Sequence, residues 1–377
     1  MEQWKEYRLG EVVNILDNKR VPLSSKERSN RKGSFPYYGA QGIIDYIDDY
    51  IFDGTYLLVA EDGENLKSHK QQISQIAKGK YWVNNHAHIL ESNGKCDIRY
   101  ICYLLNTIDI SGYVTGSAQP KLNQENLKAI TLKLPSLATQ IRIADFISMF
   151  DDKIALNRKI NSNLEEQAKA RFKSWFIDFE PFKGGKFVDS ELGMIPEGWE
   201  VCPLEQLGKF KRGKTIVAKE AKKGDIPVVA GGIDPAYYNN VANTKGPVIT
   251  VSASGANAGF MRLYYQDVWA SDCSFLDSSN ENLLWIYCFL NNNRKVLRHA
   301  QTGAVQPHVK PADINSIIVC IPPHELISKF QTAVSPLFQS IGLHQKETKR
   351  LQETRDALLP KLMSGEIDVE QSKLLFI

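Results

Sequence analysis

The sequence predicts a mixed α/β (α+β) protein written twice. Two heads are expected, separated by a pair of long antiparallel coiled-coil helices, with pseudo-two-fold symmetry from internal duplication. Three observations predict this. Thr115-Gly116-Ser117-Ala118-Gln119-Pro120 returns as Thr302-Gly303-Ala304-Val305-Gln306-Pro307, an offset of 187 residues. Two long segments carry apolar residues at the 3.5-residue rhythm of a coiled-coil seam. Short β-rich runs stand between Gly and Asn turn signals in both halves.

The first head is expected over residues 1–139. It holds the run Thr55-Tyr56-Leu57-Leu58-Val59-Ala60 and a helix over Ile98 to Leu105. A central long helix is expected over 140–178, from Ile147, Phe150, Ile154, Asn157, Asn161, Leu164, Ala168, Arg171 and Trp175. A linker and second head follow over 179–324, with Pro247-Val248-Ile249-Thr250-Val251 as a strand and Leu283 to Leu290 as a helix. A distal long helix is expected over 325–365 and a tail over 366–377. The distal stripe is Phe330, Val334, Leu337, Ile341, His344, Thr348, Leu351, Arg355, Leu358 and Leu362.

The two stripes match at the 187-residue offset, and both are interrupted by two polar residues, Asn157 and Asn161 against His344 and Thr348. A polar group in a buried seam costs stability but rejects slipped registers. The matched interruptions therefore predict that the helices pair with each other, through Ile147, Phe150, Ile154, Leu164, Trp175, Val334, Leu337, Ile341, Leu351 and Leu362. About 36 residues at 1.5 Å each make a rigid spacer of roughly 54 Å.

The heads correspond at their edges. Trp4 pairs with Trp199, Leu9-Gly10 with Leu207-Gly208, and Phe35-Pro36 with Ile226-Pro227. Gly63-Glu64-Asn65 pairs with Gly255-Ala256-Asn257, and Leu134-Pro135 with Ile321-Pro322. Their middles share almost nothing but charge: residues 24–32 in one, 209–223 in the other. Similar frames with different inserts predict related modules that recognise different things.

Composition excludes several classes. With 43% hydrophobic and 24% charged residues the chain is neither disordered nor collagen-like. Its net charge is +3, split as +1 over 1–135, 0 over 136–180, +2 over 181–323 and 0 over 324–377. So small an excess, all in the heads, makes an argument for nucleic-acid binding from charge alone weak. The six cysteines include no Cys-x-x-Cys pair, so no structural metal is expected. Neither a signal peptide nor a membrane span is expected, and reduced cysteines suggest a cytoplasmic protein.

Gly208-Lys209-Phe210-Lys211-Arg212-Gly213-Lys214-Thr215 formally matches a phosphate-binding loop, which leaves a P-loop ATPase using Lys214 as an alternative. Such a loop needs a buried strand before it and a helix after it; Pro203 to Leu207 is no such strand, and the next segment breaks at Gly224-Asp225. His86 and His88 would share one face of a strand and could ligate a metal, but no third ligand is evident. Glu61-Asp62-Gly63-Glu64 reads as a solvated turn. No catalytic constellation appears. A coiled-coil scaffold without a DNA role is the third reading.

Base reading needs Arg, Lys, Asn, Gln and Ser on exposed loops. The first head offers Lys19, Arg20, Arg31, Lys32, Tyr37, Gln41, Lys67, Ser117, Gln119 and Lys121. The second offers Lys211, Arg212, Lys214, Ser254, Asn257, Arg298, Gln301 and Gln306.

Longer strings carry a resemblance. They are Gln140-Ile141-Arg142-Ile143-Ala144-Asp145-Phe146-Ile147, Asp151 through Asn161, Arg171-Phe172-Lys173-Ser174-Trp175-Phe176-Ile177-Asp178-Phe179, Asp189 through Val201, and Leu358 through Ile367. Over nearly its full length the chain resembles the DNA-specificity (S) subunit of type I restriction–modification systems. It departs from that pattern at Glu325-Leu326-Ile327-Ser328, which lacks the usual Gln-Ile opening. The resemblance implies two target-recognition domains, each reading half of a split double-stranded DNA sequence. It implies a non-catalytic chain without cofactors of its own. Two methyltransferase subunits would carry S-adenosylmethionine, and two motor–nuclease subunits would use ATP.

Overall fold

The computed structural model describes residues 4–68, 70–116, 119–299 and 307–369. They form two compact units, Met1–Ile154 with Lys349–Ile377, and Ala155–Thr348.

The first unit opens on β1 (Lys5–Arg8) and β2 (Val13–Ile15), followed by α1 (Ser25–Asn30), β3 (Lys32–Gly39), β4 (Gly42–Ile47) and β5 (Phe52–Ala60). Then come α2 (Asn65–Ser68), β6 (Ser74–Val83), β7 (Ala87–Ser92), α3 (Ile98–Leu105), α4 (Gln124–Ala129) and β8 (Thr131–Leu134). Six strands make one sheet in the order β2-β7-β5-β6-β3-β4. The continuous apolar run at the end of β5, Leu57 to Ala60, is buried on both faces, which suits the centre of a sheet. Helix α3 starts where the Asp97 carboxylate accepts the Arg99 and Tyr100 amides, the usual capping of free N–H groups. A separate antiparallel pair, β1 with β8, joins the start of the head to its close.

The second unit repeats this plan. After β9 (Phe187–Val188) and β10 (Ile195–Pro196) come β11 (Glu200–Pro203), β12 (Lys211–Arg212), β13 (Ile226–Val229), β14 (Tyr237–Asn239) and β15 (Val248–Ser252). There follow β16 (Met261–Tyr264), β17 (Trp269–Ala270), β18 (Cys273–Asp277), and, after the second-head helices, β19 (Ile318–Ile321). The strands pair as β12-β18-β15-β16 and β17-β13-β14. Placed end to end, these two sheets give the first head's order, with β16 and β17 together standing where β6 stands. The segment 265–268 interrupts that strand, so one sheet becomes two. β11 pairs with β19 as β1 pairs with β8. Duplication is therefore visible in strand pairing as well as in sequence.

Two long helices complete both units: the 40-residue Leu137–Phe176 and the 41-residue His324–Ser364. They start and stop within three residues of the sequence-based bounds. With the second-head helices numbered α6 (Leu283–Asn292), α7 (Arg294–His299) and α8 (Pro311–Asn315), they are α5 and α9. In the first unit, Ile143, Ile147 and Phe150 of α5 share a core with Leu358, Leu362 and Met363 of α9 and with the head's own Leu9, Leu57, Tyr100 and Leu127. Leu351 packs against its edge, and Ile154 is buried. In the second unit, Phe172 and Phe176 of α5 meet Phe330, Val334 and Ile341 of α9 and Trp285 of α6, with Leu164, Trp175 and Leu337 alongside. Phe172 lies 5.3 Å from Trp285 and 5.6 Å from Phe330, ring centre to ring centre.

Within the second unit the helices run antiparallel. Asn157 Nδ2 donates to Thr348 Oγ1 at 3.4 Å and Glu347 Oε2 at 2.7 Å. His344 Nδ1 donates to Asn161 Oδ1 at 2.9 Å, and Arg171 donates to the Ala333 carbonyl at 3.2 Å. As one residue number rises the other falls. The polar interruptions of the two stripes thus meet each other. Helix α9 ends in a left-handed Gly365, φ +74°, whose amide bonds Leu362 O while the Glu366 amide bonds Lys361 O. This glycine-terminated motif satisfies the last carbonyls. No helix among the described residues is long and apolar enough to cross a membrane.

Candidate nucleic-acid interface

In the first head three separate segments converge on one rim. The Gly39–Gly42 turn brings Gln41, whose Nε2 lies 3.5 Å from where a Cβ on Gly63 would stand. The Gly63 amide donates to Pro120 O at 3.2 Å. Lys67 Nζ donates to Gly116 O at 2.7 Å, and Lys121 bridges to both Asp62 and Thr115. Gln41, Lys67, Gln119 and Lys121 are exposed there, and Lys19 is exposed on the turn after β2. Residues from positions 41 to 121 are thus brought together by the sheet. Ser117, Gln301 and Gln306 lie outside the described residues.

Beneath that rim sits a charged cluster. His88 is 1% exposed; its Nδ1 lies 2.6 Å from Asp17 Oδ2 and its Nε2 2.7 Å from Leu122 O. Each ring nitrogen thus faces an oxygen, a carboxylate on one side and a backbone carbonyl on the other. Arg20 Nη1 donates to Glu61 Oε2 at 2.7 Å, and its guanidinium also reaches Asp17 and the carbonyls of Asn85 and Ala87. Lys121 approaches Glu61 at 3.3 Å. Burial alone would raise the Asp17 carboxyl, but the hydrogen bond and charge of His88, the Ile89 amide and Arg20 hold it below its ordinary value. Glu61 is lowered in the same way: burial opposes, Arg20, His88 and Lys121 prevail. Ligand-type atoms of Asp17, Glu61 and His88 come within 4.8 Å of one another. Each already faces a protein partner, so the group is a set of ion pairs rather than a built metal site.

Several sequence-based expectations are corrected. Tyr37 is 0% exposed: its ring packs with Ile47 and Trp82, and its hydroxyl accepts the Leu23 amide at 2.9 Å. It supports the sheet and presents nothing to DNA. Arg20 is spent in the cluster with 15% of its side chain exposed. Arg31 lies over the Trp82 ring at 5.0 Å and pairs with Asp48, and Lys32 pairs with Asp45 at 2.6 Å. Both stand at the far end of the 8-residue β3 from Gln41, roughly 23 Å along the strand. His86 and His88 do not share a face: His86 lies in the turn before β7 and bonds Asp62, while His88 points into the cluster. Glu61 is not a solvated residue either; its partner Arg20 is 41 positions away, a spacing that carries no local signal.

In the second head, the Gly213 and Lys214 amides donate to Cys273 O and Ala270 O, both at 2.9 Å. A Cβ on Gly213 would stand 2.3 Å from Ser271 O, so glycine is required for this close approach. Those amides are therefore spent on the sheet, β12 is an edge strand, and no helix follows. This overturns the P-loop alternative. Lys211, Arg212 and Lys214 are exposed along that edge. Arg212 pairs with Asp272, which also accepts from Ser254 Oγ at 2.9 Å. Asn257 closes the turn that Ser254 opens. Arg298 is exposed on α7, and no described contact joins it to this group.

The family model for the type I restriction modification DNA specificity domain matches residues 1–166 and 196–353. The MjaIX specificity subunit of a type I restriction enzyme from Methanocaldococcus jannaschii is 34% identical, covering 98% of this chain and 97% of that one. A putative type I restriction enzyme specificity subunit of Haemophilus influenzae is 25% identical over 95% of both. The solved S subunit of a type I restriction–modification system from M. genitalium shares the fold, with a TM-score of 0.66 over 96% of both chains at 18% identity.

Proposed function

The chain belongs to the type I restriction–modification DNA specificity family, and from that premise we propose that each head reads one half of a split DNA target for partner subunits that carry the chemistry. The observation that carries this reading is the repeated strand order with unlike rims. Gln41, Lys67, Gln119 and Lys121 furnish one rim, and Lys211, Lys214, Ser254 and Asn257 the other. A symmetric dimer reads a palindrome because its readers are identical. Two divergent readers in one chain suit two unlike half-sites. Lysine on the rim contacts phosphates and sets register, while amide side chains reach base edges.

In this reading the chain is non-catalytic and cytoplasmic, and holds no cofactor. Two methyltransferase subunits bind S-adenosylmethionine and methylate adenine at the site it selects; two motor–nuclease subunits use ATP and cleave. The small positive excess of the heads leaves part of the DNA affinity to those partners.

Methylome sequencing tests it. Deleting the gene is expected to erase one split motif, and exchanging the second head for another is expected to change one half of that motif only. An unchanged methylome, or both halves changing together, refutes the reading.

A further inference from the structure

We propose that Asp62–His86 in the first head and Ser254–Asp272 in the second are one and the same latch, built from different side chains, which positions the reading loop of each half-site. The inference rests on the reading of the heads as DNA readers.

The loop after the central strand carries Asp62 in one head and Ser254 in the other. The turn entering the neighbouring strand carries His86 and Asp272. His86 Nδ1 meets Asp62 Oδ2 at 2.6 Å, and Ser254 Oγ donates to Asp272 Oδ2 at 2.9 Å. The chemistry is inverted: the loop accepts in the first head and donates in the second. The frame around the bond is repeated too. Asp62 forms a backbone bridge with Lys121, and Ser254 forms the corresponding bridge with His308. The two heads thus make one contact at matching places with unlike side chains.

This contact does little for folding. His86 is 50% exposed and Asp62 21%, and exposed pairs of this kind contribute little to stability. What the bond fixes is where the loop stands. In the first head that loop leads through Gly63 to Lys67, beside Gln41 and Lys121; in the second it leads through Gly255 to Asn257. A loop placed wrongly by an ångström loses bidentate base contacts. Asp62, His86 and Asp272 are accordingly positioning residues, acting through their neighbours, while Ser254 stands on the rim itself and is held there by its bond to Asp272.

The test uses the full chain assembled with its modification subunits, methylating a DNA pool randomised in each half-site. Asp62→Ser and His86→Asp, each alone, are expected to lower discrimination at the first half-site about tenfold, with the second half-site and the melting temperature unchanged. Together they install the second head's pair in the first head, and discrimination is expected to return. The mirror exchange in the second head, Ser254→Asp and Asp272→His, is expected to lower discrimination at the second half-site alone in each single variant and to restore it in the pair, and it stands in if His86→Asp does not fold. Single variants that leave discrimination intact, or a double variant that fails to restore it, overturn the latch while the reading of function stands. A wild type that methylates no split motif overturns both.

Discussion

Asp17 and Glu61 carry their charges beneath the rim of the first head, and both carboxyls are held below their ordinary values. A carboxylate lowered in the folded state stabilises the protein above its unfolded value, about pH 4, and loses that contribution as pH falls through the lowered value. Glu61→Gln is expected to melt lower than wild type at pH 7. As pH falls below about 4 and on through the lowered value, the difference is expected to shrink, because the wild type then loses what the variant never had. Thermal melts from pH 7 to pH 3 check this; a difference that persists unchanged into acid refutes it. Residue roles were the least legible part of the sequence. Lys67, Gln41 and Lys121 stand out as polar residues on turns, and the sheet gathers them. Tyr37 and Arg20 have the same residue chemistry, yet burial and ion pairing remove them from the surface. Those are long-range properties, set by partners such as Ile47, Trp82 and Glu61.

The long helices were legible because their stripe is periodic and their interruptions match. Asn161 and His344 occupy such interruptions and bond each other at 2.9 Å. Removing one partner strands the other, whereas removing both exchanges a polar contact for an apolar one. Asn161→Leu is expected to cost about 1 kcal/mol. Asn161→Leu with His344→Leu is expected to be neutral or about 1 kcal/mol more stable than wild type. Urea unfolding of the two variants decides between coupling and independent losses. The helix ends were less legible. The start of α5 at Leu137 precedes the expected residue 140, and the signal for it was there to read: Ser136 is an N-cap whose Oγ accepts the Thr139 amide at 3.3 Å. Gly365 is a clear stop, and α9 ends there. The split of the second sheet at 265–268 left no sequence mark, since Tyr265 and Val268 read as strand residues.

At the scale of the molecule, duplication was the clearest signal, and it survives in strand order where side chains have diverged. The division into two units was not legible, because the first unit joins Met1–Ile154 to Lys349–Ile377, stretches that lie far apart in the chain. The first head's core includes Leu358, Leu362 and Met363. A ribosome that has finished residue 136 has made every strand of that head but none of these three. Until the last stretch of α9 emerges, the nascent head waits with an apolar face uncovered and open to aggregation. Genetic damage is correspondingly displaced. A nonsense codon after Thr354 leaves the first head's coding region untouched, yet it is expected to make that head, and not the second, sensitive to limited proteolysis. Equal protection of both heads in the shortened protein contradicts this. The three-prime end of the gene thus guards what its five-prime end encodes.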